Sequence, residues 1–266
     1  MNYIYDKTYA GFLTCVYHHW YTEKAEEIFP EGDYQLDLYR YAMTVLADED
    51  KAERVQGAIA TRISKWDAQR VYQVFCSNEA EKEMKLLHYI ALGFKLGSKI
   101  RLLHGDPVVK AVEATERRVS FEVHRLCGLI RFSEVQNIQS GKTLLYSKIE
   151  PDNDVLEFLA PHFSDRFKSE PFIIHDLRRG KALFACGRKW EIAALAPDVE
   201  RSDNKNIDYN TGAVPRLEAT SQEADIRILW KQYFEVMATR ERTNPKCQRN
   251  FMPTRYWKHL TEIDGS

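Results

Sequence analysis

The sequence has few cysteines and no long apolar run. Its five cysteines lie far apart, so no Cys-x-x-Cys pair is present to hold zinc or an iron–sulfur cluster, and an odd number argues against a disulfide framework. No apolar stretch approaches the ~20 residues of a membrane span, and the first residues lack the basic and then apolar pattern of a signal peptide. We therefore expect a cytoplasmic protein with reduced thiols, no bound metal and no membrane contact.

The common motifs of nucleotide and hydrolase sites are also missing. The sequence contains no Gly-x-x-x-x-Gly-Lys-Ser/Thr loop, no Gly-x-Gly-x-x-Gly, no Gly-x-Ser-x-Gly and no His-Glu-x-x-His. These absences argue against a P-loop hydrolase, an α/β-hydrolase and a zinc protease of that type. No cofactor is predicted.

Charge is balanced overall but unevenly distributed. The 266 residues are 44% hydrophobic and 29% charged, a globular composition, with 38 basic and 39 acidic residues. Residues 1–60 hold eleven acids and five bases, whereas residues 240–259 hold six bases and one acid. The balance excludes a uniformly basic nucleic-acid coat, but it leaves room for a local basic surface.

Hydrophobic periodicity predicts an α+β fold. We expect a mainly helical N-terminal part (1–106), an α+β unit with a small antiparallel sheet flanked by helices (107–196), a polar linker (197–219), and a C-terminal helix with a basic aromatic tail (220–266), together forming one compact unit. A helix from about Thr8 to Phe29 and a strand from Tyr41 to Leu46 are predicted near the start. The strands predicted in the α+β unit are Gly128–Val135, Thr143–Ile149, Phe172–Asp176, Ala182–Ala185 and Trp190–Leu195. The C-terminal helix is expected to turn six side chains inward: Ile226, Leu229, Trp230, Tyr233, Phe234 and Met237.

The most distinctive stretch is the C-terminal tail, where bases alternate with aromatic residues. Cations can neutralise phosphates while rings stack on unpaired bases, so the composition suits single-stranded or distorted DNA. The candidate nucleic-acid-binding residues are Arg242, Arg249, Arg255, Tyr256, Trp257 and Lys258. The alternative is a tail that packs on the body through its aromatic side chains with its bases in water; both can hold at once.

Several motifs resemble a bacterial family of probable DNA-metabolism or DNA-repair proteins, a domain of unknown function. They are Tyr5-Asp6 with Gly11-Phe12-Leu13, Glu122-x-His124-Arg125-x-x-Gly128-x-x-Arg131-Phe132, Pro161-His162-Phe163-x-Asp165-Arg166-Phe167, Ile174-His175-Asp176-x-x-Arg179, Arg242-x-Asn244-Pro245, and Met252-Pro253-x-Arg255-Tyr256-Trp257-Lys258-His259-Leu260-Thr261-Glu262. The sequence departs from the family at Lys7, where the pattern usually continues with glycine.

The resemblance implies a role beside a radical S-adenosylmethionine protein encoded nearby. In some relatives it also implies a fused uracil-DNA-glycosylase-like domain. The sequence ends at Ser266 without such a domain, so we expect no glycosylase activity. The family supplies no established catalytic residues to transfer.

Two groups of polar residues are candidates for chemistry on their own merits. His162, Asp165, His175 and Asp176 would suit acid–base catalysis or a divalent metal if the helix that carries the first two lay over the strand that carries the others. The alternative is a structural hydrogen-bond network. Candidate phosphate-binding residues are Arg125, Arg131, Arg166 and Arg179; Arg125 and Arg131 could equally pair with Glu122.

The leading hypothesis is a DNA-binding component of a bacterial repair or modification system that acts with a radical S-adenosylmethionine partner. The alternative is an enzyme acting on DNA or a nucleotide through the His162 and His175 constellation. A third hypothesis is a structural adaptor that makes no contact with nucleic acid.

Overall fold

The chain divides into two units, Met1–Ser120 and Phe121–Ser266. The computed structural model describes residues 1–35, 40–137, 141–195, 217–237 and 244–262. The dividing point falls inside a long helix that begins at Pro107. The boundaries proposed from sequence at 106, 196 and 219 stay a prediction.

The first unit contains a three-stranded parallel sheet, with strands β1 (Asn2–Tyr5), β2 (Glu27–Pro30) and β3 (Ala42–Val45) in the order β2-β1-β3. The predicted strand at Tyr41–Leu46 is confirmed as β3. The helix predicted to continue to Phe29 is shorter, because it ends at Tyr21 and the residues that follow lead into β2. Pairing with β1 thus outweighs the local helical pattern there.

Four helices and the first part of a fifth complete the described part of this unit: α1 (Tyr9–Tyr21), α2 (Glu49–Arg62), α3 (Lys65–Phe75), α4 (Lys82–Leu96) and, continuing into the second unit, α5 (Pro107–Leu129), with a 3-10 helix at Gly97–Leu102. Thr8, Asp48 and Ser64 cap the first three, because each side chain accepts a hydrogen bond from a backbone amide of the first turn. Their apolar faces form one core with the sheet. The N-terminal part is therefore mainly helical, as predicted.

The turn after β1 shows why glycine is favoured at position 7, where this chain has lysine. Lys7 has a φ of 63°, in the left-handed region where glycine is favoured. The Asp6 carboxylate accepts hydrogen bonds from the backbone N–H of Thr8 at 3.0 Å and from its hydroxyl at 2.6 Å. A Cβ at Gly11 would lie 2.2 Å from Asp6 Oδ1, so this turn also needs glycine at position 11.

The second unit is built on a six-stranded sheet in the order β8-β7-β6-β5-β4-β9. Its strands are β4 (Ser133–Asn137), β5 (Thr143–Ile149), β6 (Phe172–Asp176), β7 (Lys181–Cys186), β8 (Lys189–Ala194) and β9 (Leu217–Ala219). Of the predicted linker, residues 197–216 lie outside the described residues, and 217–219 form β9 beside β4. The α+β class is confirmed.

The sheet is mixed, whereas the sequence predicted an antiparallel one. β5 and β6 run parallel, with Lys148 opposite His175 in the register, and the other neighbouring pairs are antiparallel. The connection between β5 and β6 contains helix α6 (Leu156–Arg166), and such a crossover returns the chain in the same direction. Pro161 lies inside α6 without dividing it.

Two helices and a 3-10 helix end the described chain: α7 (Ser221–Met237), α8 (Pro245–Phe251) and the 3-10 helix Thr254–His259. The inward face predicted for α7 is wrong, because the side chains of Ile226, Leu229 and Tyr233 are more than half exposed. We call residues 244–262 the C-terminal segment. None of the helices within the described ranges is long and apolar enough to cross a membrane.

Candidate functional site

The four predicted catalytic residues lie in two different settings. His175 and Asp176 are buried in β6, whereas His162 and Asp165 are exposed on α6. Among the described residues, no hydrogen bond or ion pair links the helix pair to the strand pair; Asp165 instead lies 3.5 Å from the Lys168 ammonium. The structure therefore does not bring the predicted acid–base constellation together.

The buried pair has structural partners. His175 Nδ1 lies 2.9 Å from the Tyr146 hydroxyl, and burial together with the nearby Lys148 lowers the pKa of His175 to about 4. Asp176 accepts backbone hydrogen bonds from Arg178 and Arg179 at 3.0 and 3.2 Å, and a third from the Arg179 guanidinium at 3.0 Å. His175 is neutral at pH 7, and Asp176 holds the turn that follows β6.

The C-terminal segment contains most of the predicted nucleic-acid-binding residues, and it lies against the rest of the second unit. Arg255 lies 3.1 Å from Glu122 and also pairs with Asp152, and the Lys258 ammonium lies 2.7 Å from Glu150. Arg249 is exposed and, within the described part of the chain, donates only to the Pro245 carbonyl, while Trp257 Nε1 donates to the Met252 carbonyl at 2.9 Å. Arg242 lies outside the described residues.

Glu122 is the main attachment point of this segment. Its buried carboxylate accepts hydrogen bonds from the Tyr256 hydroxyl at 2.6 Å, from Arg255, and from the backbone amides of Asp152 and Asn153, both at 2.9 Å. Burial raises the pKa of Glu122, but these donors outweigh it and the pKa is lowered. The charged carboxylate thus binds the segment, and packing of the tail, one of the two predicted alternatives, is what the geometry shows.

The predicted phosphate-binding arginines are divided among three places. The Arg179 guanidinium donates hydrogen bonds to the Asp176 carboxylate and to the carbonyls of Pro151 and Asp152. Arg125 lies 3.4 Å from the Asn250 carbonyl. Arg131 and Arg166 come together, because both line one cavity in the second unit.

This cavity, which we call the arginine–aromatic pocket, has a volume of about 400 Å³. It lies where the end of α5, helix α6 and helix α7 meet. Its walls include three guanidinium groups, those of Arg131, Arg166 and Arg227, and five apolar or aromatic side chains: Phe132, Phe163, Phe167, Ile226 and Trp230.

The aromatic wall is held by ring–ring contacts. The Phe132 ring meets Phe163 and Phe167 edge-on, with centroids 5.3 and 4.9 Å apart, and Phe163 stacks on Phe167 with an interplanar angle of 11°. The Arg166 guanidinium lies 5.8 Å from the Phe167 centroid. Helix spacing produces this arrangement, since residues 163, 166 and 167 share a face at the end of α6.

Two of the three guanidinium groups are neutralised. Arg131 Nη2 and Nε donate to the Glu262 carboxylate at 2.7 and 3.3 Å, and Arg227 Nε donates to Glu223 at 2.9 Å. Arg166 is exposed and has no acidic partner among the described residues. The pocket therefore keeps one uncompensated positive charge beside its aromatic rings.

Sequence reasoning found Arg131 and Arg166 but missed the contribution of α7. Arg227 and Trp230 line the pocket, whereas the helical periodicity predicted Trp230 as a core residue. The available signal was Arg227 within an otherwise apolar run, between Ile226 and Ile228. No cluster of three or more metal-ligating side chains occurs within the described parts of the chain.

Comparison with known proteins identifies a family but no characterised relative. A family model described as a domain of unknown function, DUF4130, matches residues 80–262. No curated protein and no solved structure matches the chain significantly. The matched range covers more than half of the chain and includes all residues that line the arginine–aromatic pocket.

Proposed function

This chain belongs to the DUF4130 family, and we propose that it binds single-stranded DNA by taking one unstacked base into the arginine–aromatic pocket. The observation that carries the proposal is the meeting of Phe132, Phe167 and Trp230 with an unpaired guanidinium in one cavity. Aromatic rings stack on bases whatever their identity, and guanidinium groups bind the adjoining phosphates.

The size of the pocket supports a single nucleotide. A cavity of about 400 Å³ lies toward the lower end of the ~300–1,000 Å³ that small-ligand sites occupy. A base inside a duplex cannot reach such a cavity unless it leaves the stack, at a cost of a few kcal/mol. Single-stranded or distorted DNA avoids most of that cost, so it is the favoured ligand.

The charge of the pocket supports the same ligand. Glu262 and Glu223 neutralise Arg131 and Arg227, so one positive charge is left for the ligand, that of Arg166. A phosphodiester carries one negative charge. We therefore assign Arg166 to one backbone phosphate next to the bound base.

The C-terminal segment has a smaller direct part in this proposal than the sequence suggested. Arg255 and Lys258 would have to give up Glu122, Asp152 and Glu150 before they could contact a phosphate. Arg249 is exposed and unpaired with any acid among the described residues, so it is available to extend the DNA path.

The family resemblance supplies the wider setting of the proposal. We propose that the chain acts in DNA repair or modification beside a radical S-adenosylmethionine protein, for which its acidic first sixty residues offer a surface to a basic partner. Mixing the two purified proteins and measuring their association tests this part separately. The enzyme hypothesis gains no support from the geometry, because His175 and Asp176 are buried and form hydrogen bonds with Tyr146 and Arg179.

The test is a binding titration of a fluorescein-labelled thymidine 15-mer at several salt concentrations. Arg166→Ala should weaken binding and make the log–log slope of affinity against salt less steep by roughly 0.7, the value for one phosphate contact. Arg188→Ala is the matched control, since Arg188 is an exposed arginine of the same unit away from the pocket. Equal affinity and equal slope for Arg166→Ala and the parent protein would refute the proposal.

A further inference from the structure

We infer that Glu262 makes the C-terminal segment a working part of the arginine–aromatic pocket, because its carboxylate positions both Arg131 and Trp230 for the ligand. The inference rests on the proposed function, since it concerns the same pocket. It assigns to the segment a positioning role in addition to the limited direct DNA contact that Arg249 can make.

The contacts of Glu262 reach two walls of the pocket at once. Oε1 accepts from Arg131 Nη2 at 2.7 Å, and Oε2 accepts from Arg131 Nε at 3.3 Å and from Trp230 Nε1 at 3.1 Å. The Arg131 guanidinium in turn lies 5.9 Å from the centre of the Trp230 ring. One carboxylate thus fixes a cation from the residues just after α5 and an indole from α7.

Glu262 itself is not placed to contact a ligand. Its side chain is only 2% exposed, and it does not line the pocket, although Arg131 and Trp230 do. A bidentate contact between a guanidinium and a carboxylate is directional as well as strong, so it limits the rotamers of both side chains. Glu262 is therefore a positioning residue, and Trp230 is the ring that it holds.

The rest of the C-terminal segment delivers Glu262 to this place. Tyr256 and Arg255 bind Glu122, and Lys258 binds Glu150. These three residues of the segment lie within seven positions of Glu262 along the chain. Leu260, which lies between Lys258 and Glu262 in the sequence, is buried. When the segment leaves its site, Arg131 and Trp230 lose their common partner.

Ligand binding and docking of the segment must then be coupled. If docking strengthens binding by some factor, the bound ligand strengthens docking by the same factor. A ligand in the pocket should therefore protect the segment from trypsin, which cleaves after Arg249, Arg255 and Lys258. If Glu262 merely stabilised the fold, its substitution would not abolish this protection by the ligand.

The experiment compares the parent protein with Glu262→Gln, and uses Glu170→Gln as the matched control because Glu170 is exposed in the same unit and away from the pocket. Affinity for the labelled thymidine 15-mer should fall about tenfold in Glu262→Gln, which corresponds to ~1.4 kcal/mol, and should not change in the control. The 15-mer should slow tryptic cleavage of the segment in the parent and the control but not in Glu262→Gln.

The outcomes separate this inference from the proposed function. A parent protein that does not bind the 15-mer defeats the proposed function itself. A parent that binds, with a folded Glu262→Gln variant of equal affinity and equal ligand protection, overturns the role of Glu262 alone. If Glu262→Gln does not fold, Trp230→Phe tests the inference instead, because it keeps an aromatic ring but loses the hydrogen bond to Glu262. We expect its affinity to be several-fold weaker, and an unchanged affinity overturns the inference.

Discussion

The Tyr256 hydroxyl offers a sharp test of how the C-terminal segment is held. It donates to the Glu122 carboxylate at 2.6 Å and accepts from Arg255 Nη2 at 2.8 Å, inside a buried site. Tyr256→Phe removes this hydroxyl and leaves the ring in place. A hydrogen bond to a charged group contributes ~1.5–3 kcal/mol, and the other donors to Glu122 place the expected loss near the lower value.

Limited trypsin digestion measures this loss directly. Cleavage of a transiently open segment follows the population of the open form when opening and closing are fast. A loss of ~1.5 kcal/mol raises that population about tenfold, so the segment of Tyr256→Phe should be cleaved about ten times faster than that of the parent. Tyr21→Phe is the matched control, since the Tyr21 side chain is 73% exposed in the first unit. Equal cleavage rates in Tyr256→Phe and the parent would refute the docking described here.

Two further predictions concern stability. Lys7→Gly should raise the melting temperature, because the ~1–2 kcal/mol of backbone strain that it relieves in the left-handed region exceeds the ~0.5–1 kcal/mol that glycine costs through the larger entropy of the unfolded chain. The exposed Lys7–Asp33 ion pair, which the substitution removes, contributes little to stability. A lower melting temperature would contradict the assigned turn. His175 has a pKa of about 4 in the folded chain and ~6.5 unfolded, so the unfolded chain binds more protons between these values and stability falls as pH drops from 6.5 to 4, by on the order of 3 kcal/mol. His175→Asn should flatten this part of the stability profile in denaturant titrations, and an unchanged profile would show that another group titrates.

Local sequence pattern predicted the strands that contain a clear apolar run. The strands Phe172–Asp176 and Thr143–Ile149 are found at the predicted residues, because each contains a run of three apolar residues, Phe172–Ile174 and Leu144–Tyr146. By contrast, β1 and β2 are four residues long and pair in parallel across helix α1. Strands so short have little periodicity, so their pairing is decided by tertiary contacts.

The candidate site was only partly predictable for the same reason. Arg131 and Arg166 stand out as cations beside aromatic residues, but their meeting in one pocket depends on how α6 packs. The partner of Arg131 is Glu262, 131 residues further along the chain, and the partner of Arg255 is Glu122, 133 residues before it. Tail cations that looked free in the sequence are paired in the structure, since a single sequence does not show which distant acids face them.

Photo-crosslinking with a thymidine 15-mer that carries 5-iodouracil at its central position tests the central claim most directly. Irradiation joins the halogenated base to an aromatic side chain that it contacts, and mass spectrometry identifies the crosslinked peptide. We predict crosslinks to peptides that contain Phe132, Phe167 or Trp230, and their loss when unlabelled 15-mer competes. Crosslinks confined to the first unit or to residues 244–262 would contradict the claim that the arginine–aromatic pocket takes the base.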